Sequence, residues 1–233
     1  MRYFHSISLS RLSYHFWLAF LLVVLVTGCA TRPLVPVLSP EMVEQRWALR
    51  QAQLTALEGW ELGGRVAVKH TQDSWSASLR WQQQAEAFDI SFSSMLGQRM
   101  AQLKGDASVA TLYLPDERAM SAANLSELLG DELGWHVPMN ELRYWLVGLP
   151  VPSMVLGKAR EVAKGLDAQG RLQWLEQSGW RIEYARYRSV GVLEVPKKMV
   201  LTREGTRVRF VIDHWRAVPT LNNALSTSYN LVP

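Results

Sequence analysis

One residue of this 233-residue chain carries a thiol, Cys29. A thiolate is the strongest nucleophile among the side chains, so Cys29 is the natural acceptor for a covalent group. Other chemistry finds less to work with. Beyond Cys29 the histidines are His70, His136 and His214. They are far apart, and none has the i, i+4 partner of a helical zinc site. No Gly-x-Ser-x-Gly elbow and no P-loop occurs. His214 beside Asp213 is the best acid–base pair on offer, but successive strand residues point to opposite faces. The residue types argue against an enzyme and imply neither cofactor nor metal.

The setting of Cys29 says what it is for. Arg2 and Arg11 precede an uninterrupted apolar run of eleven residues, Phe16 to Val26. A membrane-spanning helix needs roughly 20. A basic start, a short apolar middle and small residues at the end describe a secretory signal peptide, residues 1–28. Leu25-Val26-Thr27-Gly28-Cys29 resembles the bacterial lipobox, in which the cysteine sulfur receives a diacylglycerol and becomes the acylated N-terminus. The Val-Thr pair departs mildly from the commonest form. Covalent lipid adds roughly 0.8 kcal/mol of membrane affinity per buried methylene, so two or more chains anchor stably. The residue after the cysteine is Ala30 and not the aspartate that holds many bacterial lipoproteins in the inner membrane. The expected location is therefore the outer membrane, lipid-anchored and facing the periplasm.

The formal charge of +4 includes the two signal arginines, and nothing in that balance suggests nucleic acid. With no second cysteine there is no internal disulfide, so an oxidising compartment must be survived by packing. Ten tryptophans require a large apolar interior or a greasy surface. Pro33, Pro36 and Pro40 make residues 29–40 an extended tether.

The elements follow from periodicity. Ser39-Pro40-Glu41 reads as a helix start, with Ser39 as N-cap. Val43, Trp47, Leu54 and Leu57 share a face, and Gly59 is expected to end the helix. From Trp60 the period becomes two. Trp75, Ala77, Leu79 and Trp81 alternate with polar residues, and Phe88, Ile90 and Phe92 repeat the pattern, which predicts half-buried antiparallel strands. Ser121 is expected to cap a helix through Leu125 and Leu133. A second helix follows Pro138 and carries Leu142, Trp145 and Leu146. Alternation then returns through Ile182, Met199 and Phe210. The total is about ten or eleven strands with two helices inserted. A curved sheet or open barrel with helices at its mouth fits, and a sandwich is not excluded. Residues 41–218 form the expected domain, and 219–233 a loosely ordered tail.

The stretches GWELGGRVAV, SASLRWQQQ, ELRYWLVGLPVP, GWRIEYARY and MVLTREGTRVRFVIDHW come in the order and spacing of the LolB family of outer-membrane lipoprotein receptors, which the chain resembles over roughly Glu41 to Trp215. The resemblance implies an incomplete antiparallel β-barrel of about 11 strands, mainly β, with helices forming a lid over an apolar cavity. It implies a monomeric receptor that accepts acylated client lipoproteins from the soluble periplasmic carrier LolA and inserts them into the outer membrane.

It also implies site residues. Leu96, near a turn at Gly97, corresponds to a protruding leucine that helps put the lipoprotein into the membrane. Met95 stands where some relatives have proline. Trp75, Leu79, Trp81, Phe88, Ile90, Phe92, Trp145, Leu146, Ile182 and Phe210 are the candidate acyl-chain lining, although an ordinary core would show the same apolar periodicity. Met139 and Met199 suit either a pocket for varied chains or, as plain filler, an ordinary core. Arg65, Arg80, Arg207 and Arg209 lie on polar strand faces, either as solvated charges or as a patch for an acidic carrier. Two other readings remain open from the residues: an anchored module that merely holds an apolar ligand, and an outer-membrane assembly scaffold without a cavity.

Overall fold

The computed structural model describes residues 38–70, 73–106, 108–122, 125–135, 137–156 and 162–218. The signal segment, Cys29, His136 and the 219–233 tail lie outside them. The described residues belong to one compact unit.

It opens with helix α1, Pro40–Thr55. The Ser39 hydroxyl accepts a hydrogen bond from the Met42 amide at 3.3 Å, and Pro40 fills the first turn, where no amide donor is needed. Trp47, Arg50 and Leu54 form its buried face. The helix stops at Thr55, with Ala56 as C-cap. Gly59, expected to end the helix, instead begins a strand: it has Gln84 as ladder partner, so the extended backbone reaches back to the glycine.

Eleven strands follow, in two runs. The first run is β1 (Gly59–His70), β2 (Asp73–Gln84), β3 (Ala87–Ser93), β4 (Arg99–Gly105), β5 (Ala110–Tyr113) and β6 (Ala119–Ala122). Three helices come next: α2 (Leu125–Leu133), α3 (Met139–Val147) and the single turn α4 (Ser153–Leu156). The second run is β7 (Ala163–Leu166), β8 (Leu172–Gln177), β9 (Trp180–Val190), β10 (Leu193–Arg203) and β11 (Thr206–Val218). Ser121 does not cap α2. It sits in β6 opposite Thr111, and their hydroxyls hydrogen-bond at 2.8 Å. A four-residue strand is too short to display a period of its own.

Both runs are meanders, joined by antiparallel pairing of β1 with β11. The sheet order is β6-β5-β4-β3-β2-β1-β11-β10-β9-β8-β7, a single open sheet whose edges are β6 and β7. A sandwich is excluded by this connectivity. The inward residues of both runs and of α3 belong to one apolar cluster, so the sheet is curled about its helices. At Gly63 and Gly64 the register of β1 against β11 shifts. A Cβ on Gly64 would run into the Val211 carbonyl oxygen, so the close approach at this bulge requires glycine.

Two caps aim the helices inward. Gly134, with φ of +61°, lets the chain double back after α2, and the Trp135 amide bonds the Leu129 carbonyl at 3.0 Å. The Trp135 indole thereby enters the interior. Gly148, with φ of +85°, ends α3 in the same left-handed conformation, and the Leu149 amide reaches the Tyr144 carbonyl at 3.0 Å.

Candidate functional site

The interior is built from facing strand positions. Trp75, Leu79 and Trp81 project from β2, and Phe88, Ile90 and Phe92 from β3. Ladder pairing sets Leu79 opposite Phe92 and Trp81 opposite Ile90. Phe210 comes from β11, Ile182 from β9, and Trp145 and Leu146 from α3. Trp75 and Phe88 are half-buried and the other eight are buried. All ten lie in or against the same apolar cluster.

Trp135 fills the centre of that cluster. Its ring centroid lies 5.7 Å from Trp75, 5.6 Å from Phe92 and 6.4 Å from Phe210. Aromatic pairs at such distances add about 0.5–1.5 kcal/mol each beyond their burial. Trp135 thus occupies space between β2, β3 and β11 that the candidate lining residues would otherwise enclose. Sequence reasoning missed it. The one available signal was the glycine before it, which marks a helix end from which the following residue folds back.

A polar latch holds α3 down. The buried Gln177 side chain on β8 accepts from the Trp145 indole at 3.1 Å and from the Val151 amide at 2.8 Å, and donates to the Val151 carbonyl at 2.9 Å. The Tyr184 hydroxyl donates to the Trp145 carbonyl at 3.0 Å. Burial pushes the Tyr184 phenol well above its ordinary range. Helix α1 is fastened separately. Buried Arg50 donates to the Glu194 carbonyl and stacks over the Tyr187 ring at 5.1 Å, with Arg171 at 5.0 Å from the same ring. Burial lowers the Arg50 pKa and raises that of Tyr187.

Space within the candidate lining is small. The void touching Trp81, Phe88, Ile90 and Met139 measures about 10 Å³, about one water molecule. A larger pocket, about 410 Å³, opens where α1, α3 and the start of β1 meet, against Leu54, Leu57, Trp60, Arg143 and Leu149. None of the ten candidate lining residues faces it. At its polar rim Arg143 pairs with Glu86 at 2.6 Å.

The β3–β4 hairpin carries Leu96. The Ser94 amide donates to the Gln98 carbonyl at 2.8 Å, while the Ser94 hydroxyl accepts from the Leu96 and Gln98 amides at 3.3 and 3.2 Å. Gly97 adopts φ of +81°. The backbone of the turn is pinned while its apolar side chains are not covered: Met95 is 77% and Leu96 88% exposed. A turn normally carries polar residues at such positions.

The arginines Arg65, Arg80, Arg207 and Arg209 are exposed on the outer sheet face. Arg65 pairs with Asp213 at 3.4 Å. Exposed His214 lines the same outer-face trough as that pair. Among the described residues, no cluster of three or more His, Cys, Asp or Glu could hold a metal ion. Met139 and Met199 are both buried.

Together these features set the class: a single curled antiparallel sheet around an apolar interior, with a latched helix and an apolar hairpin tip. Residues 58–215 match the family model described as outer membrane lipoprotein LolB. The chain is 39% identical over 194 residues to the outer-membrane lipoprotein LolB of Nitrosococcus oceani, covering 83% of this chain and 92% of that protein. The LolB of Pseudomonas aeruginosa is 33% identical over 192 residues, covering 82% and 91% respectively. That of Pseudomonas savastanoi is 31% identical over 199 residues, covering 85% and 94%. The chain belongs to the LolB family of outer-membrane lipoproteins, receptors in lipoprotein localisation and not enzymes. No helix among the described residues is long and apolar enough to cross a membrane.

Proposed function

We propose that this protein accepts acylated lipoproteins from the periplasmic carrier LolA into its apolar interior and inserts them into the inner leaflet of the outer membrane. It acts as a monomer held there by lipid on Cys29, with residues 1–28 removed and residues 29–40 as tether. Leu96 makes the membrane contact that accompanies delivery. The observation that carries this reading is an apolar tip left 88% exposed on a turn whose Ser94, Leu96, Gly97 and Gln98 amides are all hydrogen-bonded. Exposed leucines are common singly, but Leu96 has Met95 beside it and a rigid support beneath.

The energetics explain the design. At roughly 0.8 kcal/mol per methylene, a long acyl chain costs on the order of 10 kcal/mol to leave in water. Transfer from one apolar interior to another keeps the chains dry, and each tenfold affinity difference that gives it direction needs only about 1.4 kcal/mol. The ten candidate lining residues receive the chains once Trp135 withdraws from among them. The outer-face arginines Arg65, Arg80, Arg207 and Arg209 meet an acidic carrier surface and speed encounter.

The test mixes residues 30–233 with a LolA complex carrying an acylated client, adds liposomes and follows the client, with Leu96→Glu alongside. The expected result is that both proteins take the client and only the wild type delivers it. If the wild type never takes the client, the receptor role is wrong, and a module that merely holds an apolar ligand, or an assembly scaffold, replaces it.

A further inference from the structure

On the outer face, beside the Leu96 hairpin, lies a shallow trough of about 670 Å³. The ladder register builds it. Arg65 is opposite Ser78 and Gly63 opposite Arg80 in β1–β2, while Ser78 is opposite Ser93 and Arg80 opposite Ser91 in β2–β3. Ser93 is in turn opposite Arg99 in β3–β4. Arg65, Arg80 and Arg99 all line the trough, with Ser78, Ser91 and Ser93 between them. Their one acidic neighbour there is Asp213, which pairs with Arg65. Among the described residues, neither Arg80 nor Arg99 has a carboxylate within 4.0 Å. The other polar groups of the trough are Gln102 and His214.

We propose that this trough binds the phosphates of anionic phospholipid headgroups and thereby sets the protein on the bilayer with the Leu96 tip pointing into it. The proposal rests on the reading of Leu96 as a membrane-contact residue. Guanidinium forks fit phosphate oxygens two at a time, and serine hydroxyls complete the donor set. Depth agrees as well as charge. Leu96 and Arg99 are three residues apart, no more than about 10 Å along an extended chain. Apolar groups of interfacial segments sit about 5–10 Å into the headgroup and acyl boundary. With Leu96 at that depth, Arg99 is level with the phosphates. The trough is continuous with the hairpin through Gly97, so both groups engage one surface.

The test is co-sedimentation of residues 30–233, free of the lipid anchor, with vesicles of pure phosphatidylcholine or of phosphatidylcholine with phosphatidylglycerol. Each arginine at an anionic surface is worth about fivefold in partitioning. Retention by the phosphatidylglycerol vesicles is expected to fall at least tenfold in Arg80→Glu/Arg99→Glu and in 0.5 M NaCl, with phosphatidylcholine retention unchanged. Arg80→Gln/Arg99→Gln should lose part of the same preference with an unaltered circular dichroism spectrum. Equal retention on both vesicles, or a preference that survives the double substitution, overturns the proposal. So does release by inorganic phosphate beyond that by chloride of equal ionic strength, which would make the trough a site for the free anion. Leu96→Gln should lower retention on both vesicles alike. If it changes neither while the arginine variants lose the preference, the Leu96 reading fails and the trough stands.

Discussion

Trp145 on α3 and Gln177 on β8 are joined by a hydrogen bond of 3.1 Å inside the apolar interior. The same Gln177 side chain also holds the amide and carbonyl of Val151, beyond the end of α3. One buried amide thus fastens both the helix and the segment that follows it. A group used this way matters more by its loss than by its presence, since each buried polar atom left unpartnered costs about 1–3 kcal/mol.

Gln177→Leu keeps the volume and removes all three bonds. The expected outcome is a loss of about 3 kcal/mol in urea unfolding. The α3 end should also become more accessible to hydrogen exchange at Trp145 and Val151. A loss below about 1 kcal/mol would mean that water replaces the amide and that the latch is not tight.

Trp135→Ala tests the interior. Truncating a buried tryptophan costs about 3–5 kcal/mol and leaves a void among Trp75, Phe92 and Phe210. An apolar void of that kind stays dry and takes apolar ligands. An apolar fluorescent probe should therefore bind Trp135→Ala more tightly than the wild type. Unchanged probe binding, in a variant that is destabilised as expected, would show that the sheet collapses onto the space.

Tyr184 gives the molecule an alkaline limit. Burial raises its phenol above the ordinary value of 10.0, so the folded state holds the proton that the unfolded chain releases. Its contribution to stability is complete below pH 10 and declines as pH rises from there. Tyr184→Phe should be less stable by about 1 kcal/mol at neutral pH, having lost the bond to the Trp145 carbonyl. Its stability should decline less steeply above pH 10. Parallel declines in the two proteins, read from denaturation midpoints, would assign the alkaline limit to other groups.

The long strands could be read from period alone. Trp75, Ala77, Leu79 and Trp81 all turn inward from β2, as their alternation requires. Ser39 and Pro40 likewise declared the start of α1, because a cap is a local chemical event. What failed was short or distant. Ser121 has the chemistry of a cap, but its partner Thr111 is supplied by another strand. Arg50 lies on the apolar face of α1 because Glu194 and Tyr187 wait there, far along the chain. Nothing local to Gln177 announces its three bonds to Trp145 and Val151. The turn at Leu96 was visible through Gly97, whereas apolar alternation cannot separate a residue that lines a space from one that fills it. Trp135 is the residue that makes this distinction matter.

The two edge strands, β6 and β7, are four residues each and stand at opposite ends of the sheet order. In a fully closed barrel, widening the lumen would tear a ladder of backbone hydrogen bonds. Here the sheet can splay at its edges without breaking one, because among the described residues no rung joins β6 to β7. The resistance to opening then resides in apolar packing and in side-chain hydrogen bonds such as those of Gln177, Tyr184 and Arg50. Each edge is also a poor template for a stray strand, since neither offers more than four residues to pair with. The protein is built as a clasp, stiff along its staves and free at its join.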